Sequence, residues 1–296
     1  EALCLTPECD AAPNGRFRFA DGCVHPSGTH LVCVREDHSA TADAKPADVV
    51  NEVVAVALDG SGEMSVLATG KDFYSSPRIS PNGKQLAYVC WDHPSMPWDA
   101  TELRVAPLDL AGLADPATSL HARVAGADSD TSVLQPSWHP TSSALYFVSD
   151  ESGYWNLYRA GVVGDAGELG TPTTRCAAPV DFGGSSPGWV FGQQGYTFLN
   201  DGRCAAHYSN KDSGRSTLLI IPDTDDAASA EAGALRFGEA DGLPAQFGSL
   251  TAPAQGDQLY MMGGSASEPG GVYQWKIPEA PASALSPSPA EASATM

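Results

Sequence analysis

Positive charge is scarce in this sequence. Lys and Arg number 16 against 36 Asp and Glu, which leaves a formal net charge of −20 at pH 7. Such a surface repels phosphate backbones and anionic headgroups, so it argues against nucleic acid and against a membrane as partners. Long apolar runs are missing as well. Nothing approaches the roughly 20 residues that span a bilayer, and Glu1 to Asp10 lack the basic and apolar regions of a secretory signal. The expectation is a soluble, cytoplasmic chain. Cysteines are few, scattered and odd in number, seven in all (Cys4, Cys9, Cys23, Cys33, Cys90, Cys176 and Cys204). Secreted disulfide frameworks are dense and even, so a reducing compartment is expected. Apolar residues at helical spacing are hard to find outside the Ala-rich tracts, which leaves little room for helix.

Turn-forming residues are plentiful instead, with 30 Gly and 23 Pro beside 42% hydrophobic residues. That mixture points to many short strands joined by turns. One phrase returns along the chain. Pro77-Arg78-Ile79-Ser80-Pro81-Asn82-Gly83 leads into Gln85-Leu86-Ala87-Tyr88-Val89, and Pro136-Ser137-Trp138-His139-Pro140 leads into Ala144-Leu145-Tyr146-Phe147-Val148. An earlier copy runs from Val24-His25-Pro26 to Leu31-Val32-Cys33-Val34. Weaker ones lie at Pro187-Gly188-Trp189 with Tyr196-Thr197-Phe198, and at Ser249-Leu250 with Gln258-Leu259-Tyr260-Met261.

Each copy has the pattern of a hairpin, and further short strands follow it. Four antiparallel strands in a unit of about 50 to 60 residues is the composition of a propeller blade. The predicted fold is therefore an all-β β-propeller over residues 1–277, its five visible blades starting near 17, 73, 133, 182 and 247 and forming an incomplete ring. A β-sandwich also uses many short strands but gives no reason for the phrase to recur. The tracts Ala40 to Asp48 and Asp223 to Gly233, and the tail 278–296, are rich in small and acidic residues and are expected to be disordered.

Several phrases are more particular. Arg16-Phe17-Arg18-Phe19-Ala20-Asp21, Val34-Arg35-Glu36-Asp37-His38, Asp72-Phe73-Tyr74 and Trp91-Asp92-His93-Pro94-Ser95-Met96-Pro97-Trp98-Asp99 resemble the propeller of the prolyl oligopeptidase family. Phe147 to Tyr158 fits the same picture, and the closest branch is the dipeptidyl aminopeptidase and acylaminoacyl peptidase group. The resemblance implies a propeller that covers the active site of a serine hydrolase domain. That domain needs Gly-x-Ser-x-Gly, with the serine on a strained turn between strand and helix. Gly183-Gly184-Ser185-Ser186-Pro187 and Gly263-Gly264-Ser265-Ala266-Ser267 both lack the final glycine, so no catalytic residue is assigned. Both ends of the chain look cut, since it starts at Glu1 and little follows Ile277.

The connections between second and third strands share a face with the starts of the first strands. One face is thus expected to gather Asp72, Phe73, Tyr74, Trp91, Asp92, His93, Met96, Trp98, Asp99, Asp150, Tyr154 and Trp155. Aromatic rings among carboxylates suit a docked domain or a peptide's amino terminus; alternatively they pack loops between blades. Cys23, His25, His30 and Cys33 have the residue types of a zinc site, but their spacing puts both cysteines on facing strands, where cysteines commonly act as small hydrophobes; a cross-strand thiol pair is a more plausible special case than a metal. Asp223-Thr224-Asp225-Asp226 lacks the pattern of a calcium loop. No cofactor or metal is expected.

Two functions follow: the non-catalytic propeller of a serine peptidase, partnered by the hydrolase domain of its parent chain, or a stand-alone scaffold that binds a peptide or protein. A sugar-binding propeller is a third.

Overall fold

The computed structural model of the chain describes residues 3–6, 16–38, 45, 48–108, 110, 121–126, 130–163, 168–177, 180–183, 190–210, 212–267 and 269–277. The tail 278–296, most of the insertion at 40–48 and the Pro187-Gly188-Trp189 phrase lie outside the described residues. Two compact units are present: residues 1–151, 158–172 and 188–192 in one, and 152–157, 173–187 and 193–296 in the other.

The first unit holds two four-stranded antiparallel sheets, each made of strands consecutive in the chain. β1 (Phe17–Val24), β2 (His30–Asp37), β3 (Val50–Ala57) and β4 (Met64–Ala68) form the first; β5 (Phe73–Ile79), β6 (Gln85–Trp91), β7 (Glu102–Pro107) and β8 (Ala122–Ala125) form the second. A third sheet contains β9 (Val133–Trp138), β10 (Leu145–Ser149) and β11 (Asn156–Ala160), whose residues 158–160 belong to this unit. β12 (Val162–Val163) and β13 (Glu168–Leu169) make a two-residue ribbon.

β6 explains how the sheets stack. Leu86, Tyr88 and Cys90 enter a core with Val32, Val34, Val53 and Ala55 of the first sheet. Ala87 and Val89, pointing the opposite way, enter a core with Val133, Leu145 and Phe147 of the third. Side chains alternate along a strand, so a strand buried on both faces is apolar throughout, and Leu86 to Cys90 is such a run.

The recurring phrase is one hairpin repeated. His25 N–H donates to His30 O, Ser80 N–H to Gln85 O and His139 N–H to Ala144 O, always across five positions at 2.7–2.9 Å. The first strands also share a bulge. β1, β5 and β9 slip register around Asp21, Ser76 and Gln135, each a non-glycine residue at a φ of 51–56°. Backbone of this kind costs of order 1–3 kcal/mol and persists only where surroundings hold it.

The second unit carries β14 (Thr173–Thr174), whose neighbour Arg175 donates its N–H to Leu157 O at 2.8 Å. Its four-stranded sheet runs β15 (Tyr196–Phe198), β16 (Cys204–Ser209), β17 (Ser216–Ile221), β18 (Leu235–Phe237). A three-stranded sheet follows, β19 (Gln246–Thr251), β20 (Gln258–Gly264), β21 (Gly271–Lys276). Leu218, Ile220 and Phe237 pack with Phe247, Leu259 and Trp275 between these two sheets. β19 repeats the bulge at Ser249, φ 53°.

Three expectations change here. The fourth hairpin turns at Leu199–Arg203, where Leu199 N–H meets Arg203 O at 2.8 Å. Tyr196–Phe198 is therefore a first strand, and a start near 182 is one strand too early, because Asn200-Asp201-Gly202 supplies the turn without the proline the phrase led one to seek. The fifth sheet has three strands among the described residues rather than four. The tract Asp223 to Gly233 is ordered: α1 (Ala227–Ala232) is capped by the Asp226 carboxylate, which accepts Ser229 N–H at 2.8 Å, and Ala230 is fully buried.

Cys4 is disulfide-bonded. Cys23 and Cys33 are free thiols on opposite faces of the first sheet: Cys23 packs beside Val32 and Val34, Cys33 beside Val54 and Val56. The bulge at Asp21 sets that phase, so the two act as small apolar side chains in separate clusters and the special case of a cross-strand thiol pair is not formed. No helix among the described residues is long and apolar enough to cross a membrane.

Candidate functional site

The start of β5 and the end of β6 bring the first group of predicted residues together. Phe73 and Trp91 are directly paired across the ladder, with rings stacked 5.3 Å apart at 19°. Asp92 lies one residue beyond. Its Oδ2 accepts from Lys71 Nζ at 2.6 Å and its Oδ1 from Asp72 N–H at 3.1 Å. Asp72 Oδ2 in turn accepts His93 N–H at 2.9 Å, and its carbonyl accepts from Asn51 Nδ2 at 2.6 Å. Each carboxylate thus pins the start of a neighbouring segment. This is why the residue before β5 and the residue after β6 are both Asp.

Lys71 reaches a second acid, Glu102 of β7, at 3.1 Å, and Glu102 also pairs with Arg104 at 2.6 Å. Burial works to raise the Asp92 carboxyl, but Lys71 and the Asp72 amide outweigh it and hold it below the usual range. Glu102 is likewise lowered, burial being outweighed by Arg104 and Lys71. The hydrogen bond that Lys71 donates to Asp92 raises the Lys71 amine above its ordinary value. Lys71, Asp92, Glu102 and Arg104 form an internally paired charged network.

Met96, Trp98 and Asp99 lie on the connection from β6 to β7. Asp99 Oδ2 accepts Met96 N–H at 3.0 Å and Asp99 N–H donates to Met96 O at 2.9 Å, which closes the loop into a turn. Met96 and Trp98 remain 45% and 41% exposed. Ser132 ties this loop to Asp150: its Oγ donates to Pro97 O at 2.5 Å and its N–H to Asp150 Oδ1 at 2.7 Å. Burial pushes the Asp150 carboxyl up.

Not every predicted residue joins the face. Tyr74 is buried in the core, packed on Tyr88, with its hydroxyl accepting Lys71 N–H at 3.1 Å. The reason is alternation: Phe73 points out, so Tyr74 points in. Tyr154 and Trp155 fall in the second unit. Tyr154 is exposed there, whereas the Trp155 ring lies against Gly183, where an added Cβ would stand 2.8 Å from it. Lys71, Asn51, Glu102 and Arg104 were missed. Glu102 and Arg104, two apart on one strand, carried a legible signal, since they must share a face.

A Gly-x-Ser-x-Gly string does occur, at Gly184-Ser185-Ser186-Pro187-Gly188. It lies outside the described residues.

The class defined by these sheets, hairpins and bulges is the β-propeller. Within it, the chain is similar to a puromycin-hydrolyzing peptidase of Mycobacterium tuberculosis, at 29% identity and a TM-score of 0.71 over 92% of this chain. It is similar also to a puromycin hydrolase, at 26% identity and 0.71 over 92%. Prolyl oligopeptidase B of Galerina marginata shares the fold, at 12% identity and 0.58 over 89%. The chain spans 38%, 37% and 33% of these three proteins' lengths. No protein-family model and no curated protein matches the sequence. The resemblance to the prolyl oligopeptidase family is borne out, and what the chain matches is the propeller part of those peptidases.

Proposed function

We propose that this chain is the non-catalytic propeller of a serine peptidase, that it restricts peptide access to a hydrolase domain, and that Phe73, Trp91, Met96 and Trp98 with Asp72, Asp92, Asp99 and Asp150 face that domain or its substrate. The observation that carries the reading is the match at 29% identity over 92% of this chain to 38% of a peptidase's length. Exposed aromatic and sulfur-bearing side chains among paired carboxylates have the make-up of an interface core with a polar rim. The partner is a hydrolase domain or a flexible peptide.

The test is the intact mass of the endogenous protein carrying this segment, taken with labelling by a fluorophosphonate serine-hydrolase probe. A product well over twice the length of this chain that takes the label is expected. An unlabelled product no larger than this chain overturns the peptidase reading and leaves a binding scaffold.

A further inference from the structure

The outer edge of the fifth sheet differs from the others. Among the described residues the outermost strands are β4, β8, β14 and β18, of two to five residues, and β21, of six. Short edge strands limit pairing with other chains, and a longer one with apolar side chains invites it. β21 is the third strand of its sheet, yet it is exposed as an edge is. Val272 is 72% exposed and its ladder partner Met262 52%, whereas β3, β7, β11 and β17, the third strands elsewhere, are mostly buried.

The hydrogen-bond phase of β21 is fixed at its end. Ile277 N–H donates to Asp257 O at 2.8 Å, and the ladder continues with Lys276 opposite Gln258 and Trp275 opposite Leu259. Backbone groups alternate sides along a strand, so Gly271, Tyr273 and Trp275 bond to β20 while Val272, Gln274 and Lys276 turn N–H and C=O to the free edge. The side chains of Val272, Gln274 and Lys276 share one face, and β21 contains neither proline nor acid.

We propose that this edge pairs with the same edge of a second copy, antiparallel and centred on Gln274, giving a two-fold dimer whose sheet is continuous across both copies. The order Val-Tyr-Gln-Trp-Lys suits pairing with itself. Outward groups of Val272 meet those of Lys276 in the other copy, and Gln274 meets its own equivalent, so every outward backbone group of the three residues has a partner. The methylenes of each Lys276 cover the other copy's Val272, and the two lysines stand at opposite ends of the pairing. The net charge of −20 bears on where two copies meet, because acidic surfaces repel. β21 brings no acid to the contact, and its lysine is already paired with Asp257 at 3.2 Å. The inference does not rest on the peptidase reading.

The experiment is sedimentation equilibrium of the 296-residue chain from about 1 to about 300 µM, a range that suits a contact smaller than a standard interface. A mass rising from 30.7 kDa toward twice that value is expected. The rise should be steeper at about 0.5 M salt, where repulsion between copies is screened. Gln274→Pro removes an N–H that the β20 ladder does not use, and should weaken association roughly tenfold or more with an unchanged circular dichroism spectrum. If that variant fails to fold, the exposed position 272 decides. Val272→Lys sets two lysines opposite each other and should associate more weakly than Val272→Glu, the reverse of the order that net charge alone gives. A mass of 30.7 kDa throughout, a dimer that Gln274→Pro leaves unchanged, or an order at position 272 that follows net charge overturns the proposal.

Discussion

Asp21 of β1 grips β5 at two points: Oδ1 lies 3.1 Å from Arg78 Nη1, and Oδ2 accepts Ser76 N–H at 2.5 Å. The Asp21 side chain is 4% exposed, and both Asp21 and Ser76 sit at bulges with positive φ. One carboxylate therefore offsets strain in two first strands while neutralising a cation. Asp21→Ala leaves Arg78 without this partner and Ser76 N–H without an acceptor, and is expected to cost about 3 kcal/mol. Asp21→Asn keeps one acceptor and should cost about half of that. Urea unfolding of both variants measures the difference; equal midpoints for Asp21→Ala and the parent would refute the bridging role.

The blades were legible because the hairpin phrase is local. Pro or Gly in the turn and alternating apolar residues on either side are nearest-neighbour information, and Leu86 to Cys90 or Leu145 to Val148 can be read without knowing what packs against them. The bulges were not legible. Asp21, Ser76, Gln135 and Ser249 are of three different residue types, and what all four have in common is a positive backbone φ at a bulge. Missing the bulge misplaced Cys23 relative to Cys33. The acids of the aromatic face were found from sequence, but their partner Lys71 was not, since the contact with Glu102 joins residues 31 apart.

His207 of β16 makes a pH prediction. It is 2% exposed, packs on the Phe247 ring, and has no hydrogen bond to Nδ1 among the described residues. Burial lowers its pKa to about 4. A depressed value means that the unfolded chain binds the proton more tightly, so this contribution is complete above about pH 6.5 and is lost as pH falls toward 4. Roughly 3 kcal/mol should disappear across that window. Asp92 and Glu102, also lowered, lose their contributions only at more acidic pH. In His207→Gln the stability between pH 6.5 and 4.5 should be nearly flat, as followed by urea midpoints; an unchanged slope would assign the acid sensitivity elsewhere.

Gly126, after β8, stands at φ +75°, and a Cβ added there would lie 1.9 Å from the Thr101 carbonyl oxygen. Backbone cannot yield as a side-chain tip does. Thr101 is itself pinned, with Oγ1 donating to Val133 O at 2.7 Å and accepting Val133 N–H at 2.6 Å. Gly126→Ala therefore combines an unfavourable φ with a displaced strand junction, and about 2–4 kcal/mol of destabilisation is expected. Gly153→Ala has a similar φ, +83°, but open space around the added carbon, and should cost about 1 kcal/mol. Thermal unfolding of the pair separates the clash from the angle.

The aromatic face yields the prediction most closely tied to function. Phe73 and Trp98 are 40% and 41% exposed, so each presents ring surface to solvent while the rest of the ring packs on the fold. Phe73→Ala forfeits the stack on Trp91, worth about 1 kcal/mol. Trp98→Ala removes a ring that is more than half buried and should cost about 1–3 kcal/mol. If this face meets a hydrolase domain or its substrate, the same substitutions in the parent peptidase should change selectivity beyond what stability explains. Cleavage of a long or folded substrate should rise relative to a dipeptide anilide, because a weakened contact opens the route that the propeller restricts. The decisive quantity is the ratio of kcat/KM for a 30-residue peptide to that for the anilide, measured in both variants and in Val163→Ala, an exposed control on β12. A several-fold rise in the face variants alone supports the gate; equal ratios in all three assign these rings to surface packing.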